Sequence, residues 1–271
     1  MRTTLAVVLL LLLAGCGSPF AEPTPTESVT PAPVPDDSTV APGVTDAGLA
    51  DLDALAGAHT TTLDARSYTV ESTYRSVYPN GTERASYAVV VRLSADRDYR
   101  TNVSVTGETG PRLLGEPPAT GEFWSNGSTY VAAITRGNDT TYSSYVPPDG
   151  YAGKWYYWTR SVALVGGPRE DLVRTLEPFD ELTRTGANAT GHRLVGEAEA
   201  LPSALGSGDL TDAHGARVEA IVTDRGVVRR YTLRYWGVTP AGEHVRVERT
   251  VVYRGIGRTT VEKPAWADRA Q

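Results

Sequence analysis

Cysteine is all but missing from this 271-residue chain; Cys16 is the only one. No intramolecular disulfide can form, so any folded part rests on its core alone. A long apolar run is missing as well. The N-terminal one, Leu5 to Leu13 (LAVVLLLLL), falls short of the roughly 20 residues of a spanning helix. Lysine occurs only at Lys154 and Lys263, so positive charge is almost all arginine, and the formal net charge is −6. That sign disfavours nucleic acid as a partner. The histidines, His59, His192, His214 and His244, fall in no HxH or HExxH spacing and present no metal-ligand pattern. No GxSxG occurs, Gly166-Gly167 is not followed by GK[ST], and Gly206-Ser207-Gly208 reads as a loop. Acidic pairs such as Asp180-Glu181 read as a solvated face. The sequence therefore nominates no catalytic residue, no metal and no cofactor.

What is present at the N-terminus is an address. Arg2, the apolar run and Leu13-Ala14-Gly15-Cys16 follow the order of a secretory signal: positive start, apolar core, small residues at the cut. An ordinary cleaved signal with an incidental cysteine would look the same. LAGC also resembles the lipobox of prokaryotic lipoproteins. That resemblance implies cleavage after residue 15, lipid on Cys16 and a membrane-held protein facing outside. A diacylglycerol thioether puts two chains in the bilayer, enough for stable anchoring. Residues 16–44 are rich in Pro, Thr, Ser and acids and cannot bury enough surface to offset their ordering entropy. They read as an extended spacer. Residues 45–271 are long enough for one domain. Arginine in place of lysine, with abundant Thr, Gly, Asp and Ala, resembles proteins of salt-loving archaea. Five triplets fit the N-glycosylation acceptor pattern, at Asn80, Asn102, Asn126, Asn138 and Asn188. The Asn-Gly and Asn-Asp steps among them also make turns.

Periodicity supplies the fold class. Leu49, Leu52, Leu55, Ala56, His59 and Leu63 recur every three or four residues and predict a helix over 46–63, with Thr45 or Asp46 as its cap. The period then drops to two. Residues 66–76 place Tyr68, Val70, Ser72 and Tyr74 on one face, and strands over 83–94 and 99–106 complete a meander. A hairpin hinged on Asn126-Gly127 with a primed turn follows, then a strand over 140–146. Residues 168–182 predict a helix broken at Pro178. A second run of strands covers 192–197, 217–223, 227–236 and 244–254, with Val227, Arg229, Tyr231, Leu233 and Tyr235 on one side of the third. A tail at 261–266 is expected to dock on the sheet. Scarce βαβ crossovers make this an α+β fold: a large curved antiparallel sheet, half-barrel-like, with helices packed on one face.

The lipobox, the Pro/Thr spacer, the helix with His59, and the segments SYTVESTYR, YVAAITRGNDTTY and RYTLRYWG resemble uncharacterised haloarchaeal lipoproteins. More distantly, the element order resembles the LolA/LppX-like lipoprotein carriers. That resemblance implies a half-barrel closed by helices, whose hollow in some members holds acyl chains.

Aromatics are the remaining signal. Tyr151, Trp155, Tyr156, Tyr157 and Trp158 cluster within eight residues, flanked by Lys154 and Arg160, and Phe123-Trp124 precedes a strand. Such residues line apolar or sugar-binding surfaces, and they equally fill cores. Trp124, Tyr151, Trp155, Tyr157 and Trp158 are the candidate ligand-binding residues. The leading functional expectation is a non-enzymatic surface lipoprotein that binds or carries a lipid or other apolar ligand in a concave sheet. The alternatives are an envelope interaction module without a small-molecule pocket, and a hydrolase whose polar cluster the chain order hides. An apolar, open concave face separates the first from the second, and carboxylates converging on a histidine in a cleft would favour the third.

Overall fold

A computed structural model describes residues 38–109, 114–145, 164, 166–202 and 210–270. The leader, Cys16 and the aromatic run Tyr151 to Trp158 lie outside the described residues. The compact unit runs Asp37–Gln271, starting ahead of the boundary that composition sets at residue 45. Two short strands account for the difference, β1 (Thr39–Ala41) and β2 (Val44–Thr45), which pair with each other. Ala41 and Val44 are buried, so the last valines of the spacer sequence belong to the core.

Helix α1 spans Leu52–Asp64 and is capped by Asp51, whose carboxylate accepts from the Ala54 N–H at 2.9 Å. It starts later than the apolar spacing predicts, and neither Thr45 nor Asp46 is its cap. The intervening residues make other backbone bonds: Leu49 N donates to the Leu182 carbonyl, and Thr45 N to that of Gly48. Gly48 lies so close to Leu182 that a Cβ there would meet its carbonyl oxygen at 2.0 Å. The apolar stripe itself is where expected, with Leu55, Ala56, His59 and Leu63 buried.

The remaining elements are β3 (Tyr68–Val77), β4 (Glu83–Leu93), β5 (Tyr99–Gly107), β6 (Ala119–Ser125), β7 (Tyr130–Arg136), β8 (Asp139–Tyr145), α2 (Pro168–Leu176), β9 (Thr183–Asn188), β10 (Gly191–Ala200), β11 (Thr211–Val222), β12 (Val228–Val238), β13 (His244–Arg254) and a 3-10 helix, Ala265–Arg269. β3 to β13 form one 11-stranded sheet in the order β8-β7-β6-β5-β4-β3-β13-β12-β11-β10-β9. Every pairing is antiparallel. Two meanders, β3–β8 and β9–β13, meet along the β3–β13 seam; β8 and β9 are the outermost strands in this order, and Gly48 bridges β9 at Thr183. The fold is therefore α+β, a large open antiparallel sheet and not a closed barrel. A twisted sheet of this width curls, which gives the half-barrel form. The helix pair α1–α2 packs on its inner face.

Alternation decides what faces inward. On β3, Tyr68, Val70, Ser72, Tyr74 and Ser76 are buried, and on β13, Val245, Val247, Arg249, Val251 and Tyr253. Three local departures from the expected pattern have physical causes. Arg229 is exposed because a bulge sets two steps of β12 against one of β11, between Val222↔Val228 and Ile221↔Arg230. The β6–β7 loop is four residues, since Ser125 pairs with Tyr130, and the Asn126 side chain accepts from Ser128 N and Thr129 N. The tight primed turn is instead at Gly137-Asn138, between the paired Arg136 and Asp139, where Gly137 has φ 58° as a type II′ turn requires. Strand β9, weak in apolar residues, escapes the period-two reading altogether. α2 ends at Leu176, ahead of Pro178.

Candidate functional site

The inner face is apolar at its margins and polar at its centre. Leu194 on β10, Val218 on β11, Val89 on β4, Val103 on β5 and Phe123 on β6 belong to one continuous buried cluster. At the middle sits Arg249, in an inward register position otherwise held by valines. Its guanidinium donates to Asp171 of α2 at 2.6 Å, and both side chains are almost wholly buried. The Tyr231 hydroxyl donates to the other Asp171 oxygen, and Arg249 lies over the Tyr231 ring at 5.6 Å. Burial opposes charge on Arg249, but Asp171 and Tyr231 outweigh it and hold the guanidinium charged.

Tyrosines ring this pair. Tyr74, directly opposite Arg249 on β3, stacks on Tyr87 with centroids 4.7 Å apart and planes 7° from parallel. Tyr68, Tyr231, Tyr235 and Tyr253 are all buried. His59 of α1 meets Tyr253 edge-on at 4.8 Å and accepts from Val228 N through Nδ1 at 3.3 Å. Burial pushes the His59 imidazole down to about 4, against a smaller upward pull from Asp171. It is therefore neutral near pH 7. Burial also pushes the Tyr253 hydroxyl up, and nearby Asp171 adds to it. The Tyr253 hydroxyl and His59 Nε2 make no hydrogen bond among the described residues.

The cluster does not form an acid–base pair. The Asp171 oxygens meet Arg249 and Tyr231, while His59 takes Val228 N through Nδ1 and makes no hydrogen bond to Asp171. Among the described residues no group of three or more His, Cys, Asp or Glu could hold a metal ion.

The hollows described here lie on the outer face or at the sheet's end. One, about 860 Å³, runs over Ile221, Thr232 and Val252 beside the Asn188–Gly191 turn. A second, about 440 Å³, lies over β4–β8. Trp124, the one described member of the candidate ligand-binding set, is on this outer side. It is 7% exposed and packs with Val131 and Ala267, the last from the C-terminal 3-10 helix. The tail thus docks on the sheet as its sequence leads one to expect. Of the acceptor asparagines, Asn80, Asn126, Asn138 and Asn188 sit at exposed hairpin ends, and Asn102 is mid-strand on β5. Tyr151, Trp155, Tyr157, Trp158 and Cys16 are among the residues not described. Sequence reasoning missed the Arg249–Asp171 pair and its tyrosines. The signal was there, as one arginine in the row Val245, Val247, Arg249, Val251, Tyr253.

Residues 2–153 match the model of a family of unknown function, DUF7537, and the chain belongs to that family. No curated protein matches it. Among solved structures it is similar to LprF from Mycobacterium bovis, at 16% identity and TM-score 0.37, over 79% of this chain and 97% of that one. It is similar also to a DUF1329 family protein from Desulfovibrio piger, at 9% and 0.28 over 81% and 98%. A third is a LolA superfamily protein from Nitrosomonas europaea, at 9% and 0.24 over 76% and 94%. No described helix is long and apolar enough to cross a membrane.

Proposed function

We propose that the chain is a lipid-anchored extracytoplasmic protein, not an enzyme, that binds or carries a lipid or other amphiphile against the inner face of its sheet. The observation that supports this reading is the Arg249–Asp171 pair with its tyrosine belt, set in an otherwise apolar face. Small-molecule sites combine apolar walls with a few convergent polar groups. A buried ion pair is a poor device for stability alone, since apolar side chains of similar volume often serve as well or better. The anchor on Cys16, the spacer and the aromatic residues Tyr151, Trp155, Tyr157 and Trp158 enter from the sequence alone.

Native mass spectrometry of the full chain from its own host, with a denatured control, tests the reading. Adducts that vanish on denaturation and have lipid masses are expected, and their yield should fall in Tyr253→Leu. A clean mass, together with no uptake of a fluorescent fatty acid, would overturn it. The second reading, an envelope interaction module, would then stand, favoured by the open, polar-lined hollow beside the Asn188–Gly191 turn on the outer face.

A further inference from the structure

We infer that the outer face of the N-terminal meander carries a saccharide-binding trough, independent of anything bound on the inner face. The hollow of about 440 Å³ over β4–β8 has a floor of small side chains, Ala88, Val90 and Ala133. Amide and hydroxyl groups from Asn102, Thr120 and Thr140 border it, and its wall is two rings, Tyr142 and Trp266. The ring centroids are 6.0 Å apart with planes at 40°. A sugar presents the complementary surface: an apolar C–H face that packs on aromatic rings, and hydroxyls that pair with amides and threonines. Tyrosine and tryptophan, each with a large apolar body and a polar tip, suit such a half-wet site.

The wall is built and held in place. Ala267 is fully buried against Trp124 and Val131, which fixes the 3-10 helix that presents Trp266. The Trp266 indole N–H donates to Glu122 at 2.6 Å. On the other side, the Arg269 guanidinium lies over the Tyr142 ring at 5.8 Å and donates to its hydroxyl at 3.3 Å. Charge at the trough is largely internal: Glu122 is also paired with Arg100, and Arg92 donates to Asn102 at 3.1 Å. A neutral saccharide therefore fits better than a charged one. Asn102 and Ser104 both line the trough and form one acceptor triplet, so the same chemistry has two sources: a glycan attached at Asn102, or a saccharide from the surroundings.

Titrating the full chain with maltotriose and triacetylchitotriose, followed by tryptophan fluorescence, separates these. Chain made in a host without N-glycosylation is expected to bind at least one sugar saturably. Tyr142→Ala should weaken that binding at least about ten-fold, the loss of one stacking wall. Thr120→Val, which keeps strand propensity, should weaken it several-fold with an unchanged melting temperature. If own-host chain carries sugar on Asn102 and no longer binds, the attached glycan fills the trough. If it binds as the bare chain does, the ligand is a free saccharide. Failure of the bare chain to bind either sugar, or binding untouched by both variants, would overturn the proposal.

Discussion

His59 shows how one burial turns into a pH dependence. In the unfolded chain its imidazole takes a proton below about pH 6.5, but in the folded chain only below about 4, because burial disfavours the charged form. Between those values the unfolded state binds more protons, so stability is complete above pH 6.5 and is lost as pH falls towards 4. The loss amounts to about 3 kcal/mol for this group. His59→Asn keeps a side-chain acceptor for Val228 N without the titration. Urea unfolding at pH 7 and pH 4 should show the variant losing about 3 kcal/mol less than wild type over that interval. Equal losses would mean that His59 is not buried neutral. The acceptor asparagines divide at the same scale. Asn126 and Asn188 sit at exposed hairpin ends with their amide oxygens tied to following residues. Asn102 is mid-strand and held by Arg92. Glycopeptide mass spectrometry of own-host protein should find sugar on the loop sites in preference to Asn102; the reverse order would contradict this geometry.

At the scale of elements, α2 is the piece with the least to hold it by itself. Nine residues are too few for a stable isolated helix, although Pro168 in the first turn helps start it. Leu172 and Leu176 bury one stripe, and Asp171 ties that stripe to β13. Asp171→Asn leaves the Arg249 charge buried without its countercharge and should cost about 3–5 kcal/mol. Asp171→Leu with Arg249→Met and Tyr231→Phe, which leaves no hydroxyl without its acceptor, should lie within about 1 kcal/mol of wild type in urea unfolding. A loss below about 1 kcal/mol for Asp171→Asn alone would show that the pair is not what tethers α2. This tether is also where the sequence was hardest to read. Strand faces were legible because side chains alternate with a period of two, so Tyr68 to Tyr74 resolved at once. Helix α1 was legible as a stripe but not in its start, because residues 45–50 spend their backbone bonds on Ser38, Gly43, Leu182 and Arg184 as well as within the Thr45–Gly48 turn. Arg249 and Asp171 come from elements far apart in the chain, and neither residue's neighbours announce the other. The bulge at Arg229 and the edge strand β9 depend on partners, which a one-dimensional pattern does not contain.

For the whole molecule, the decisive contact is the seam between the meanders. β3 and β13 pair from Arg246↔Val77 to Arg254↔Thr69, joining chain segments far apart in sequence, and α1 and α2 lie across the same region through His59, Tyr253, Asp171 and Arg249. The two halves therefore share their central strands and their helix layer, which should make them one cooperative unit. Val251 is fully buried on β13 and faces Ser72 across the seam. Val251→Ala removes two methyl groups from a close-packed site and should lower stability by about 2 kcal/mol. If the unit is cooperative, that loss appears in both meanders together: hydrogen exchange in β4 and in β11 should speed up by the same factor, about 30-fold, and thermal unfolding should stay a single transition. Faster exchange confined to β11 and β12, or a split transition, would show that each meander carries its own core and that the chain from Asp37 onward is two domains sharing one sheet.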